Sequence, residues 1–403
     1  MVLLHGARQT GKTTLAKHIA QTAAHRAQYL TLNDASVLDA IRTDPVAFVG
    51  RLQSPVVLDD VQRAPDLLPA ILAEVDRHPS PGRFLLIGST NVLPPPQISE
   101  SLADRIEILT LHPLSQGEIE SVPENFIDAL FADTLSPAGG CDDLIARILR
   151  GGYPSALDPE RAWFDSYVTT VLGDIRGLSD IDALSSLPRL LALIAARTAG
   201  LLNFMDLARG SGIPQTTVKR YFALLEATFL ARLVPAWENK TEPSLSQGVV
   251  EKTKSGQRLI KAPKLYLNDT GLAASRLGLD EERLERDAGL KAALLENFVG
   301  MELEKQAGWS QANPKLFHFR TAGGQKVDFV LENPVGDIVG IEVKAGATVD
   351  DRDFSGLRAL AALAGRRFLN GVVLHTGSTR DAFGQRLHAA PVSALWQSHA
   401  GGV

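Results

Sequence analysis

Short apolar runs punctuate the first part of the chain at Val2–Leu4, Tyr29–Leu32, Val56–Leu58, Phe84–Ile87 and Ile106–Leu111. Between them, Thr13–Ala23 and Leu67–Arg77 carry apolar residues at helical spacing. That alternation predicts an α/β fold, a parallel sheet with helices on both faces. Ligands of such a sheet sit beyond the carboxyl ends of its strands.

From residue 116 the pattern turns helical. Gly151-Gly152-Tyr153-Pro154 marks a turn, and Leu187–Ala199 reads as a core helix. Asn203 is placed to cap a short helix, Phe204–Arg209. After Gly210-Ser211-Gly212 a second helix is expected over Pro214–Ala227, then a strand, Phe229–Val234. Ile213, Val218, Phe222 and Leu225 share one face of that helix; Thr216, Thr217, Lys219 and Arg220 share the other. Helix, turn, helix and strand make the outline of a winged helix, whose second helix can enter a DNA major groove. The other reading is a purely structural connector. The polar, Gly/Ser-rich stretch Glu238–Arg258 reads as a loop or wing.

The expected regions are therefore residues 1–115 as an α/β core, 116–200 as helical, 201–260 as winged-helix-like, and 261–403 as an α/β C-terminal domain. A chain of 403 residues is too long for one ordinary core. Its 45% hydrophobic and 22% charged content is that of a soluble globular protein. No run approaches the ~18–20 apolar residues of a membrane span. One cysteine, Cys141, excludes internal disulfides. A cytoplasmic protein is expected. The net charge of −5 argues against a polyanion-coating surface, so DNA contact would need a local basic patch.

The chemistry begins at Gly6-Ala7-Arg8-Gln9-Thr10-Gly11-Lys12-Thr13, followed by Thr14. This is a complete G-x-x-x-x-G-K-[ST] phosphate loop between a predicted strand and a predicted helix. Its backbone N–H groups and the helix N-terminus suit the phosphates of ATP. Lys12 would neutralise phosphate charge, and the Thr13 hydroxyl would bind Mg²⁺. Pro55-Val56-Val57-Leu58-Asp59-Asp60 is a buried strand ending in an acidic pair, the Walker B pattern. Asp59 would hold the Mg²⁺ and Asp60 would orient the attacking water. Ser89, at the tip of the next strand with Thr90 and Asn91, is a candidate reader of the γ-phosphate; a polar strand end with turn residues is the alternative. Arg105 is a candidate cation for the γ-phosphate of this or a neighbouring subunit; a solvated strand-start arginine is the plainer alternative.

These motifs, with Leu58-Asp59-Asp60-Val61-Gln62-Arg63-Ala64-Pro65, Gly88-Ser89-Thr90, Ser101–Arg105 and His112-Pro113-Leu114-Ser115, resemble the AAA-type ATPases that carry a C-terminal DUF4143 domain. Gly151–Pro154 and Leu267-Asn268-Asp269-Thr270-Gly271 extend the resemblance over nearly the whole chain. Relatives more usually carry Glu at the position of Asp60 and Gly at that of Asp104. They also have a few dozen residues ahead of the first strand, which help to cover the base. Either the start lies upstream of Met1, or base contacts are reduced. The shorter Asp60 implies slow hydrolysis, because a misplacement of ~1 Å can cost ~100-fold in rate.

In the last region, a helix contains Leu294–Val299, and strands are expected over Gln325–Leu331 and Ile338–Lys344. If those strands pair about Val335, Asp328 lies opposite Glu342, Lys326 lies opposite Lys344, and Lys344 shares the Glu342 face. Glu296, Asp328, Glu342 and Lys344 then match a PD-(D/E)xK, restriction-endonuclease-like pattern. Asp328 and Glu342 would hold Mg²⁺, and Lys344 would position water. The alternative is a half-exposed hairpin whose charges face water. Lys326 stands where relatives often carry Glu, an extra cation that either replaces metal charge or spoils the site. The expectation is an ATPase, oligomeric through its first domain, whose nucleotide state acts on a DNA-directed C-terminal half. The alternative is a nucleotide-dependent switch with an inactive nuclease-like domain.

Overall fold

The alternating apolar runs become five short strands: β1 (Val2–His5), β2 (Gln28–Thr31), β3 (Val56–Asp59), β4 (Phe84–Gly88) and β5 (Glu107–Thr110). The computed structural model describes residues 1–22, 26–89, 105–157, 162–178, 186–239 and 258–397. The strands line up as β2-β3-β4-β1-β5, and every pairing is parallel, as the alternation predicts. Leu3, Val56, Leu58, Phe84 and Leu86 pack on one face against Leu38, Ile41, Leu67 and Ile71 of the covering helices. Val57 and Ile87 meet Ala16 and Ala20 on the other. Met1–Pro113, Tyr153–Ser155 and Leu224–Leu230 make up this unit.

The register decides what meets at the sheet's carboxyl edge. His5 pairs with both Gly88 and Thr110, and Asp59 pairs with Thr31 and Ile87. The loop after β1, the acidic pair of β3 and Ser89 after β4 therefore emerge side by side.

The remaining residues form a second unit, which gathers the three later regions of the sequence reading. Asn203 caps the helix Phe204–Ser211, its side chain accepting from the amides of Met205 and Asp206. Gly212 turns the chain at φ +73°, and the helix Gln215–Ala227 follows. Ile213, Val218, Phe222 and Leu225 are all buried, the face that the spacing assigned to the core. A two-stranded antiparallel sheet comes next, β6 (Ala231–Val234) with β7 (Lys264–Leu267). Most of the proposed wing, residues 240–257, lies outside the described residues.

The last part is a six-stranded mixed sheet built from β8 (Lys315–Arg320), β9 (Lys326–Glu332), β10 (Ile338–Lys344), β11 (Phe368–His375), β12 (Asp381–Gly384) and β13 (Leu387–Pro391). Its order is β12-β13-β11-β10-β9-β8. The hairpin of β9 and β10 pairs Ile338 with Glu332 and Ile341 with Phe329, the register centred on Val335. The helix Ser355–Ala364 packs its Leu357 and Leu360 into a core with Val327, Val330, Phe368 and Val373. The helix Ala288–Ala307 approaches so closely that a Cβ on Gly300 would stand 2.6 Å from the Phe329 ring. Among the described residues no helix is long and apolar enough to cross a membrane.

Candidate functional site

The phosphate loop is built on backbone that only glycine adopts easily. Gly6 has φ +146°, and a Cβ there would lie 2.2 Å from the Leu111 carbonyl oxygen. Gly11 has φ +99° and precedes the helix Lys12–Gln21, so the helix N-terminus opens onto the loop. Ala7 and Thr10 are buried; Gln9, Thr13 and Thr14 are exposed, with Arg8 half-buried. Thr10 Oγ1 closes the loop onto the Ala7 carbonyl at 3.1 Å. Lys12 is 5% exposed, and its Nζ donates to the same carbonyl at 2.5 Å. Burial pulls this ammonium down from its usual range to about 8, against the opposing pull of Asp59 and Asp60.

Beneath the loop, His5 is buried, with Nε2 2.7 Å from Thr110 Oγ1 and its ring edge-on to Phe229 at 5.2 Å. Burial first, and then the Lys12 charge, push its pKa down, so it stays neutral under the site.

The acidic pair is held by several partners. Thr13 Oγ1 donates to Asp59 Oδ2 at 2.8 Å, and the Tyr29 hydroxyl donates to the same oxygen at 2.6 Å. Asp59 Oδ1 accepts the Asp60 amide at 2.9 Å. Asp60 takes left-handed backbone, φ +62°, and its carboxylate accepts from Asn33 Nδ2 on one oxygen and from Gln62 Nε2 at 2.9 Å on the other. Arg63 in turn donates to Asn33 Oδ1 at 2.6 Å. Thr13 and Asp59 thus present a hydroxyl and a carboxylate together, the oxygen donors that a hard cation such as Mg²⁺ takes. Tyr29 and Asn33 belong to no motif, and Gln62, though it lies in the Leu58–Pro65 stretch, has no role that the stretch itself reveals.

Ser89 follows Gly88 at the same edge and is half-buried. Thr90, Asn91 and the segment 101–104 lie outside the described residues. Arg105 stands at the opposite edge. The Met1 ammonium donates to its carbonyl at 2.9 Å, and its guanidinium pairs with Asp76 at 3.1 Å. The fold therefore does not bring Arg105 to the phosphate loop of its own subunit.

In the second unit, Glu296, Asp328 and Glu342 do converge, but around lysines. Lys264 Nζ reaches Glu296 Oε1 and Asp328 Oδ1, both at 2.8 Å. Lys326 Nζ reaches Asp328 Oδ1 and Glu342 Oε1, both at 2.9 Å. Lys344, on the same strand as Glu342, pairs with Asp353. Burial, followed by the Asp328 charge, raises Glu296 to about 7 and Glu342 to about 8. Asp328 is itself fully buried, which by itself would raise it, yet the two lysines together hold it below the ordinary carboxylate range. Among the described residues no group of three or more His, Cys, Asp or Glu is arranged to hold a metal ion. The residues present therefore do not fit the expected Mg²⁺ at Asp328 and Glu342, and no cleavage step follows from them.

On the helix Gln215–Ala227, Thr216, Lys219 and Arg220 are exposed and Thr217 is half-buried. The Lys219 ammonium lies 5.7 Å from the Phe204 ring centre.

Comparison with known proteins places three matches along the chain. An AAA domain matches residues 1–120, a domain of unknown function (DUF8612) matches 141–283, and another (DUF4143) matches 291–395. Uncharacterized proteins of Mycobacterium tuberculosis and Mycobacterium bovis are each 31% identical over 357 residues, covering 86% of this chain and 71% of theirs. A solved protein from Vibrio cholerae covers 98% of this chain and 95% of that one at 11% identity, with a TM-score of 0.19, too low to carry an argument. The AAA match implies nucleotide binding.

Proposed function

The chain belongs to the family in which an AAA domain is joined to a C-terminal DUF4143 domain, and from that premise we propose that it is an ATP-dependent switch, one that binds ATP and hydrolyses it slowly. The observation that carries this reading is the tethered Asp60. The carboxylate placed to orient water already spends both oxygens on Asn33 and Gln62. Binding needs only the loop and Lys12; turnover needs Asp60 released.

Hydrolysis is read as in-line attack of water on the γ-phosphorus. Lys12 neutralises charge on the phosphate oxygens, and Ser89 lies at the edge where that phosphate ends. Asp60 aligns the water once Asn33 lets go. Bound Mg²⁺, held by Thr13 and Asp59, would supply further charge neutralisation. Arg105, exposed at the far edge of the sheet, is available only to a neighbouring subunit's phosphate.

For the output, the exposed Thr216, Lys219 and Arg220 support DNA contact by the helix Gln215–Ala227. The lysine-tied carboxylates favour signalling over cleavage. The deciding experiment is ATP turnover with and without DNA, in the wild type and in Lys12→Ala. Stimulation by DNA that vanishes in Lys12→Ala supports the switch. ATP affinity unchanged in Lys12→Ala would remove the loop from the reading. No gel shift at low salt would remove DNA.

A further inference from the structure

In the cluster of Glu296, Asp328 and Glu342, both oxygens of Asp328, both of Glu342 and Oε1 of Glu296 accept from protein donors. Asp328 Oδ1 accepts from Lys264 at 2.8 Å and from Lys326 at 2.9 Å, while Oδ2 accepts the Val343 amide at 3.1 Å. Glu342 gives Oε1 to Lys326 at 2.9 Å and Oε2 to the Asp328 amide at 3.2 Å. Glu296 Oε1 takes both Lys264 at 2.8 Å and the Tyr266 hydroxyl at 2.7 Å. Asp328 is 0% exposed and Lys264 3%, so neither exchanges its partner for water. A divalent ion wants oxygen ligands at about 2.0–2.1 Å in near-octahedral order, with no ammonium among them. Seating one here requires displacing Lys326 from between Asp328 and Glu342 and still leaves the buried ammonium of Lys264 on Asp328.

We infer that Lys264 and Lys326 are the permanent cations of this cluster, and that it is an internal weld and not a divalent-metal centre. The two lysines divide the task. Lys326 lies on β9 beside its carboxylates and keeps part of its surface in water. Lys264 comes from β7, within the span matched by DUF8612, whereas all three carboxylates belong to the span matched by DUF4143. Its ammonium therefore ties one matched region to the other. The same seam is stitched beside it. Asn297 donates to the Leu267 carbonyl at 2.9 Å, accepts the Leu267 amide at 3.0 Å and accepts the Thr198 hydroxyl. A buried ion cluster of this kind specifies one arrangement of the parts, since any slippage strands a charge away from water. This deepens the reading of a switch without cleavage, yet nothing in it depends on the phosphate loop.

The test uses the full chain carrying Asp59→Asn, which removes the first unit's metal-binding carboxylate. Mn²⁺ is titrated while free Mn²⁺ is followed by electron paramagnetic resonance. No saturable site is expected, and the thermal midpoint should not respond to Mn²⁺. One saturable site that disappears on adding Asp328→Asn overturns the inference. A second arm tests the charge balance. Lys326→Met should lower the midpoint, and adding Glu342→Gln should restore most of the loss, because the stranded carboxylate is then neutral. A Lys326→Met protein as stable as its parent, or a double variant with no recovery, also overturns it.

Discussion

Asn33 donates from its side-chain amide to the carboxylate of Asp60, the residue that the phosphate-loop chemistry assigns to water, while Arg63 steadies Asn33 from behind. The amide competes directly with water for that carboxylate. Asn33→Ala should therefore raise kcat, by about 10-fold if the tether is worth ~1.4 kcal/mol. Phosphate release measured at saturating ATP checks this. Unchanged or slower turnover would show that Asn33 aligns Asp60 and does not restrain it.

Lys12 titrates near 8 because burial penalises its charge. It is cationic below that value and neutral above it. ATP affinity should hold through neutral pH and weaken as pH rises through about 8, with proton uptake on binding in the upper range. Calorimetry in two buffers of different ionisation enthalpy would reveal that uptake. Affinity flat from pH 7 to well above 8 would contradict it.

Three carboxylates face two ammoniums in the cluster, which leaves one negative charge unmatched. Burial, and after it the Asp328 charge, holds Glu296 and Glu342 near 7 and 8, above the ordinary glutamate value. A carboxyl whose folded pKa is raised contributes stability that is complete below its unfolded pKa and lost as pH climbs through the folded one. The wild type should thus lose stability between roughly pH 5 and 8. Glu342→Gln should flatten that decline and exceed the wild type on its alkaline side, by about 1 kcal/mol, or a few degrees in midpoint. A parallel decline in both proteins would count against the assignment.

Gly151 has φ +72°, and a Cβ there would stand 2.2 Å from Asp269 Oδ1. That carboxylate is buried and accepts the amides of Gly152 at 2.8 Å and Leu272 at 2.9 Å. Gly151→Ala must move it and strand an amide, at a cost of about 3 kcal/mol or more. Urea unfolding of the variant measures this; a loss under ~1 kcal/mol would mean that the turn relaxes freely.

Much of this was legible from local order. The phosphate loop, the alternating strands and the buried face of the helix Gln215–Ala227 follow from spacing within a few residues. So does the hairpin register, because Asn333-Pro334-Val335-Gly336-Asp337 leaves little choice of centre. What stayed hidden depends on contacts distant in sequence. Lys264 looks like an ordinary strand-start lysine until β7 is laid beside the helix that carries Glu296. Tyr29 and Asn33 acquire meaning only when β2 pairs with β3. Asp353, the partner of Lys344, arrives from a turn that no alternation rule foresees. Arg105 falls at the far end of the sheet because it precedes β5, whose direction is fixed only once β5 pairs with β1.

The Leu111 carbonyl pressed against Gly6 leaves the phosphate cradle no room to breathe independently of β5. A loop of this kind usually owes its shape to its own turns; here a strand end serves as its rear wall. The cradle therefore borrows the stiffness of the whole sheet, and a side chain at position 6 would fail by prying two strands apart before it ever met a nucleotide.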